Sequence, residues 1–221
     1  MIRRWRLKKA HARFLDSCRS LNEDRGYWEK AGSVRRWLLQ AFVPVPLMGL
    51  HPDGMRLLDA LRWLEEHCST LPVTEDVIKK YHVLISGSAV SDAGEYRKHK
   101  TSILGSEIAR PAPDKIPALM KQLEIKLRQE ELDAATTADA SSIFRRAAVV
   151  HQRLAFIHPF RDGNGRVARL VMNHFLRRHK CGYSIFPPIS ESKAHFDALE
   201  EAHRGNLDPL VTFLRSCMFK V

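Results

Sequence analysis

Nine consecutive residues, His158-Pro159-Phe160-Arg161-Asp162-Gly163-Asn164-Gly165-Arg166, with Arg169 just beyond, hold the side chains needed to grip a polyphosphate and attack one of its phosphorus atoms. His158 titrates near neutrality in its ordinary state, so it can take a proton from an attacking hydroxyl. Asp162 offers a hard carboxylate of the kind Mg²⁺ shares with phosphate oxygens. Gly163-Asn164-Gly165 reads as the start of a helix. The first N–H groups there have no partners inside the helix, and glycine lets a ligand approach the backbone. Together with the positive end of the helix dipole this makes an anion cradle. Arg166 and Arg169 are three apart on the new helix and share a face, and guanidinium forks suit phosphate oxygens. Phe160 reads as packing inward and pinning the loop. No Ser or Cys sits in a nucleophile position, so a covalent enzyme intermediate is not implied. Each part alone has an ordinary explanation, such as a capping histidine, a turn or solvent-facing arginines. Their conjunction at one junction carries the reading.

The elements that position this loop read as helices. From about Asp139, the residues Ile143, Ala147, Val150, Leu154 and Ile157 recur in steps of four and three, the period of one helix face. Pro159 forbids continuation. A second helix starts near Asn164 and points Val167, Leu170, Val171 and Phe175 to the core. Further helices are read over Met55–His67, from Thr74 with acids in the first turn, from Asp114, over Ser190–Gly205 and over Asp208–Cys217. Asp133–Asp139 is a polar connection, and Gly182 and Pro187-Pro188 end a section. Residues 86–113 are punctuated by Gly87, Gly94, Gly105, Pro111 and Pro113, and are the one place where a short β-hairpin is predicted. Residues 3–20 read as a basic amphipathic helix and Pro44–Gly54 as irregular.

Composition bounds the class. The 221 residues are 44% hydrophobic and 28% charged, ordinary for a globular protein. No run approaches the roughly 18 apolar residues of a membrane span, and the basic N-terminus lacks the apolar core of a signal peptide. Cys18, Cys68, Cys181 and Cys217 form no C-x-x-C pair, which argues against metal knuckles and favours a reducing, cytoplasmic compartment, with delivery into another cell as an effector also compatible. Of the net charge of +11, +7 lies in residues 1–40, where eleven Lys/Arg face four acids. That arm reads as a contact for nucleic acid, an anionic membrane surface or an acidic partner, or else as a solvated helix surface.

His158 to Arg169 matches, at every defined position, the signature H-x-F-x-(D/E)-G-N-G-R-x-x-R, and the chain resembles the Fic family. Gly94-Glu95-Tyr96-Arg97, Thr101–Gly105 and Pro111-Ala112-Pro113 are similar to that family's flap, and Leu207-Asp208-Pro209-Leu210 to its closing segment. The resemblance covers about residues 75–215. It implies an all-α bundle with a β-hairpin flap, built as a basic helical extension over 1–70 and a catalytic domain over 71–221. It also implies protein adenylyl transfer: AMP passes from ATP to a Tyr, Thr or Ser hydroxyl of a target protein, or of the chain itself. Carried over, His158 is the base and Asp162 binds Mg²⁺. Phe160, Gly163, Asn164, Gly165, Arg166 and Arg169 hold the nucleotide, and Arg166 also neutralises the leaving group. Phe196 and His203 fall at the adenine, and Lys100, Thr101, Ser102, Ile103 and Leu104 dock the target by strand addition. UTP or GTP in place of ATP, or a basic binding module without catalysis, are the alternatives. An inhibitory (S/T)-x-x-x-E-(G/N) helix is absent. Ser91 with Glu95 matches its spacing, followed by Tyr96. The resemblance therefore implies a constitutively competent enzyme, a separate inhibitory protein supplying a Glu to Arg169, or inhibition by residues 1–70 through an unrelated contact.

Overall fold

A computed structural model describes residues 52–87, 90–103, 106–136, 139–184, 186 and 193–219. The expectations for 1–51, including the basic helix over 3–20, and for Leu104, Gly105 and Pro187-Pro188 lie outside these. Seven α-helices follow in order: α1 (Pro52–His67), α2 (Glu75–Ser86), α3 (Ile116–Thr136), α4 (Ala140–Ile157), α5 (Asn164–Arg178), α6 (Lys193–His203) and α7 (Asp208–Ser216). The mostly helical class stands.

Local chemistry sets the helix starts. The Thr74 hydroxyl accepts from the Val77 N–H at 3.3 Å, with Glu75 and Asp76 in the first turn of α2. The Asp139 carboxylate accepts from the Ser141 and Ser142 N–H groups, both at 3.1 Å. Each cap satisfies donors the helix cannot. Helix α1 begins at Pro52, inside the stretch read as irregular, because proline is tolerated in a first helical turn, where its missing N–H would have no partner. Helix α3 runs to Thr136, into the connection read as loop.

Helix α5 is the centre of the bundle and packs against α1, α2 and α4. Val167, Leu170, Val171, Met172, Phe175 and Leu176 are all buried, each contributing about 1.5–3 kcal/mol relative to exposure. Two polar ties cross this core. Tyr81 Oη lies 2.7 Å from His174 Nδ1, while His174 Nε2 lies 2.8 Å from the Leu71 carbonyl. A carbonyl only accepts, so Nε2 carries the proton and Nδ1 accepts from Tyr81. Asn173 donates to the Arg169 and Ser184 carbonyls and accepts from the Ser184 N–H at 2.8 Å.

That second tie positions β1 (Tyr183–Ser184), which pairs antiparallel with β2 (Met218–Phe219), Tyr183 opposite Phe219. These two-residue strands are too short to show a period, and sequence patterning missed them. The hairpin predicted over 86–113 is not seen: among the described residues of that segment no strand forms. Arg97 donates to the His99 carbonyl at 2.8 Å and the Pro111 carbonyl at 2.6 Å, tying two parts of this segment together.

Candidate active site

The loop between α4 and α5 opens with a strained residue. His158 caps α4 in the left-handed region, φ 50° and ψ 58°, with its N–H donated to the Leu154 carbonyl at 3.0 Å. For a side chain other than glycine this conformation costs about 1–2 kcal/mol. The following proline also disfavours the right-handed helical alternative. Arg97 holds the strained unit from both sides: its Nε donates to the His158 carbonyl at 2.7 Å and its backbone N–H to the Pro159 carbonyl at 2.8 Å. Burial pushes the His158 pKa down to about 4, helped by the charges of Arg110 and then Arg97, and opposed by the Ala155 carbonyl and Asp162. At neutral pH the imidazole is therefore uncharged and ready to accept a proton.

Phe160 and Asn164 hold the loop's shape. Phe160 is fully buried and stacks on His82, with ring centres 3.9 Å apart and planes at 2°. Asn164 Oδ1 accepts from the Phe160 N–H at 2.9 Å, and its Nδ2 donates to the Phe160 carbonyl at 2.8 Å. Phe160 is thus enclosed by the loop's own packing, and the Asn164 side chain is engaged with the loop's backbone. The Asn164 N–H at the start of α5 is the part left to face an anion.

His82 buttresses the loop from α2. The Gly94 N–H donates to Nδ1 at 2.8 Å, so that nitrogen is unprotonated, and Nε2 donates to the Asp162 carbonyl at 3.2 Å. Burial lowers the His82 pKa, which favours the neutral ring those two bonds require. Gly163 takes φ 76°, and a Cβ there would sit 2.8 Å from Ile85 Cδ1. Positive φ and the closeness of α2 both demand glycine.

The charged groups line the open side. The Asp162 side chain is 91% exposed and accepts from Arg166 at 3.1 Å. A Cβ on Gly165 would lie 3.5 Å from Arg169 Nη1, so the buried Arg169 guanidinium reaches back to the start of α5. Arg169 also faces the Phe186 ring at 6.0 Å. Burial and the nearby Arg166 lower its pKa to about 10, leaving it charged at neutral pH.

Beyond the loop, His203 belongs to a polar chain that includes neither Asp162 nor the glycines. Arg110 donates to His203 Nε2 at 3.3 Å and to Ser106 Oγ at 2.9 Å; Ser106 in turn donates to Glu200. Burial, then Arg110, lowers the His203 pKa to about 4. Since the Arg110 charge also acts on His158, this chain flanks the base. Phe196 is 48% exposed with its ring 5.2 Å from His195. Among the described residues no hydrogen bond or ring contact joins it to the loop. Of the expected flap residues, Lys100 and Ser102 are exposed and Thr101 and Ile103 half-buried, while Leu104 lies outside the described residues. Lys100 and Thr101 line a cleft of about 170 Å³ that also touches Tyr96, Arg97 and Arg161. Glu95 pairs with Lys98 at 3.4 Å and not with Arg169. His82 and Arg110 carry no role in the sequence reading, and Arg97 only a place in the flap motif. The one available signal was a histidine on the apolar face of α2, four residues after Ile78.

Residues 72–176, which include α2, the flap segment, α3, α4 and the whole loop, match the model of the Fic/DOC family. This stretch of the chain is thus a Fic/DOC-type domain. Curated relatives named protein adenylyltransferase Fic share 29% identity over 84% of this chain in Nematostella vectensis and 31% over 65% in Aedes aegypti. The chain spans 42% and 27% of the length of those two relatives. Among solved structures, a Fic-domain-containing signaling protein from Bacteroides thetaiotaomicron is similar in fold, with a TM-score of 0.69 at 22% identity, covering 94% of this chain and 93% of that one. Fic-1 from C. elegans has a TM-score of 0.64 at 21% identity, covering 95% and 68%. The Fic domain thus contains the loop, and the chain after residue 176 adds Phe186, Glu200 and His203 around it. Among the described residues no helix is long and apolar enough to cross a membrane.

Proposed function

We propose that this chain moves AMP from ATP to a Tyr, Thr or Ser hydroxyl of a target protein. The observation that carries the reading is His158, held in the left-handed region at the end of α4, directly before the Gly163–Gly165 start of α5, on which Arg166 and Arg169 follow. The target oxygen attacks the α-phosphorus and its proton passes to His158. The bond from that phosphorus to the bridging oxygen breaks, and pyrophosphate leaves. The amides of Gly163, Asn164 and Gly165 receive phosphate oxygens. Arg166 meets the charge developing on the leaving group, and Arg169 holds the γ-phosphate from beneath the cradle. Stabilisation of this kind comes from groups already in place.

The residues present fit Mg²⁺ in one way. Among the described residues no three carboxylates, histidines or cysteines cluster as a metal cage. The single, outward-facing Asp162 suits an ion that takes one carboxylate and completes its shell with phosphates and water. When bound, that ion supplies charge neutralisation on the phosphates. The cleft between Lys100–Thr101 and Arg161, which Arg97 also lines, is the proposed seat of the target chain, docked there by strand addition.

Parallel labelling with ATP tagged on the α- or the γ-phosphate tests the reading. Transfer of the α tag with release of pyrophosphate is expected. Transfer of the γ tag would overturn it in favour of phosphorylation.

A further inference from the structure

Arg97 makes more backbone contacts than a merely structural arginine needs, and all of them converge on two features. Its guanidinium donates to the carbonyls of His158, His99 and Pro111 at 2.7, 2.8 and 2.6 Å, and its own N–H goes to Pro159 at 2.8 Å. His99 and Pro111 are the two ends of the flap segment. His158 is the base, held in a left-handed conformation that persists only when its surroundings impose it. Arg97 is 6% exposed, so water does not compete for these bonds. The fork is planar, with donors on three nitrogens, and lysine cannot reproduce it.

We propose that Arg97 is a positioning residue that joins the flap and the base into one unit, so that seating a target on the flap sets the geometry of His158. The proposal rests on the adenylyl-transfer reading for its consequence in rate, but the coupling itself is a property of the chain. None of the Arg97 bonds reaches Gly163–Gly165. Nucleotide affinity and transfer therefore separate in an Arg97 variant, which would not happen if the residue only held the fold together.

The test is Arg97→Lys, with Arg97→Gln as a second variant should the first fail to fold. Amide hydrogen exchange on the free, full chain is expected to accelerate together in 97–103 and 158–165, by roughly tenfold or more for a loss of about 1.4 kcal/mol. Exchange within α5 at 170–176 should stay unchanged. In transfer assays kcat should fall and KM for the target rise, each by roughly tenfold, with ATP affinity within about threefold of wild type. Acceleration in the flap alone, acceleration that also spreads through α5, or coupled exchange with unchanged kcat and KM would each overturn the proposal. Exchange needs neither nucleotide nor target. If wild type transfers no AMP, the functional reading fails while the exchange result still decides the coupling.

Discussion

Lowering the pH from 7.5 to 5.5 should remove a large part of this fold's stability, because three histidines are buried without charge. His151, His174 and His195 are 1%, 0% and 5% exposed. Burial is the main cause that brings their pKa values to about 3, 4 and 2, with Arg169 adding to the effect on His151, Arg178 on His174, and His151 and then Arg169 on His195. The hydrogen bonds depend on it: His151 Nε2 and His195 Nε2 face each other at 3.0 Å, so one must accept, and two protonated rings would oppose N–H to N–H. In the unfolded chain each ring returns to a value near 6.5. Between there and about pH 4 the unfolded state binds protons that the native state refuses, so stability rises with pH in this window and is lost as pH falls through it. At pH 5.5 the loss is about 1.4 kcal/mol per ring, roughly 4 kcal/mol for the three, against a typical total of about 5–15 kcal/mol. Urea unfolding followed by circular dichroism reads this directly. With a slope of about 2–3 kcal/mol per M, the midpoint should fall by roughly 1.3–2 M from pH 7.5 to 5.5. A midpoint that moves by less than about 0.3 M would refute the buried-neutral assignment.

Three further perturbations probe the site. Gly163→Ala places a Cβ against Ile85 at positive φ; it should cost roughly 2 kcal/mol, lower Tm by roughly 5 °C in a calorimetric scan and weaken ATP binding. Arg110→Gln removes the largest charge effect on His158, so the acid limb of the kcat/KM profile should move up, toward the ordinary histidine value, by about one pH unit. His82→Phe keeps the stack on Phe160 but loses the bonds to Gly94 and Asp162; thermal melts should show a loss of roughly 2 kcal/mol, and transfer should slow with it.

Much of the frame is legible in the chain because it depends on neighbours in sequence. The steps Ile143, Ala147, Val150, Leu154, Ile157 mark the buried face of α4, and Thr74 and Asp139 mark helix starts through bonds to residues two or three further on. The loop stands out because Pro159 stops one helix and Gly163 starts the next. What stays hidden depends on distant partners. Asn164 carries the same side chain whether it binds a phosphate or the Phe160 backbone, and only the folded loop shows the second. His82 meets Asp162 across 80 residues. The glycines and prolines of 86–113 signal a turning, extended chain, which is also what a segment held by Arg97 requires, so a hairpin and a clamped loop read alike.

The central claim is that His158 accepts the proton when AMP is transferred. Its most direct test is transfer from α-phosphate-tagged ATP into lysate proteins by wild type and by His158→Ala, with ATP affinity measured on both. The account predicts labelled proteins with wild type, none above background with His158→Ala, and ATP affinity preserved within about threefold, since the cradle is built from other residues. Labelling by His158→Ala at the wild-type rate would contradict it.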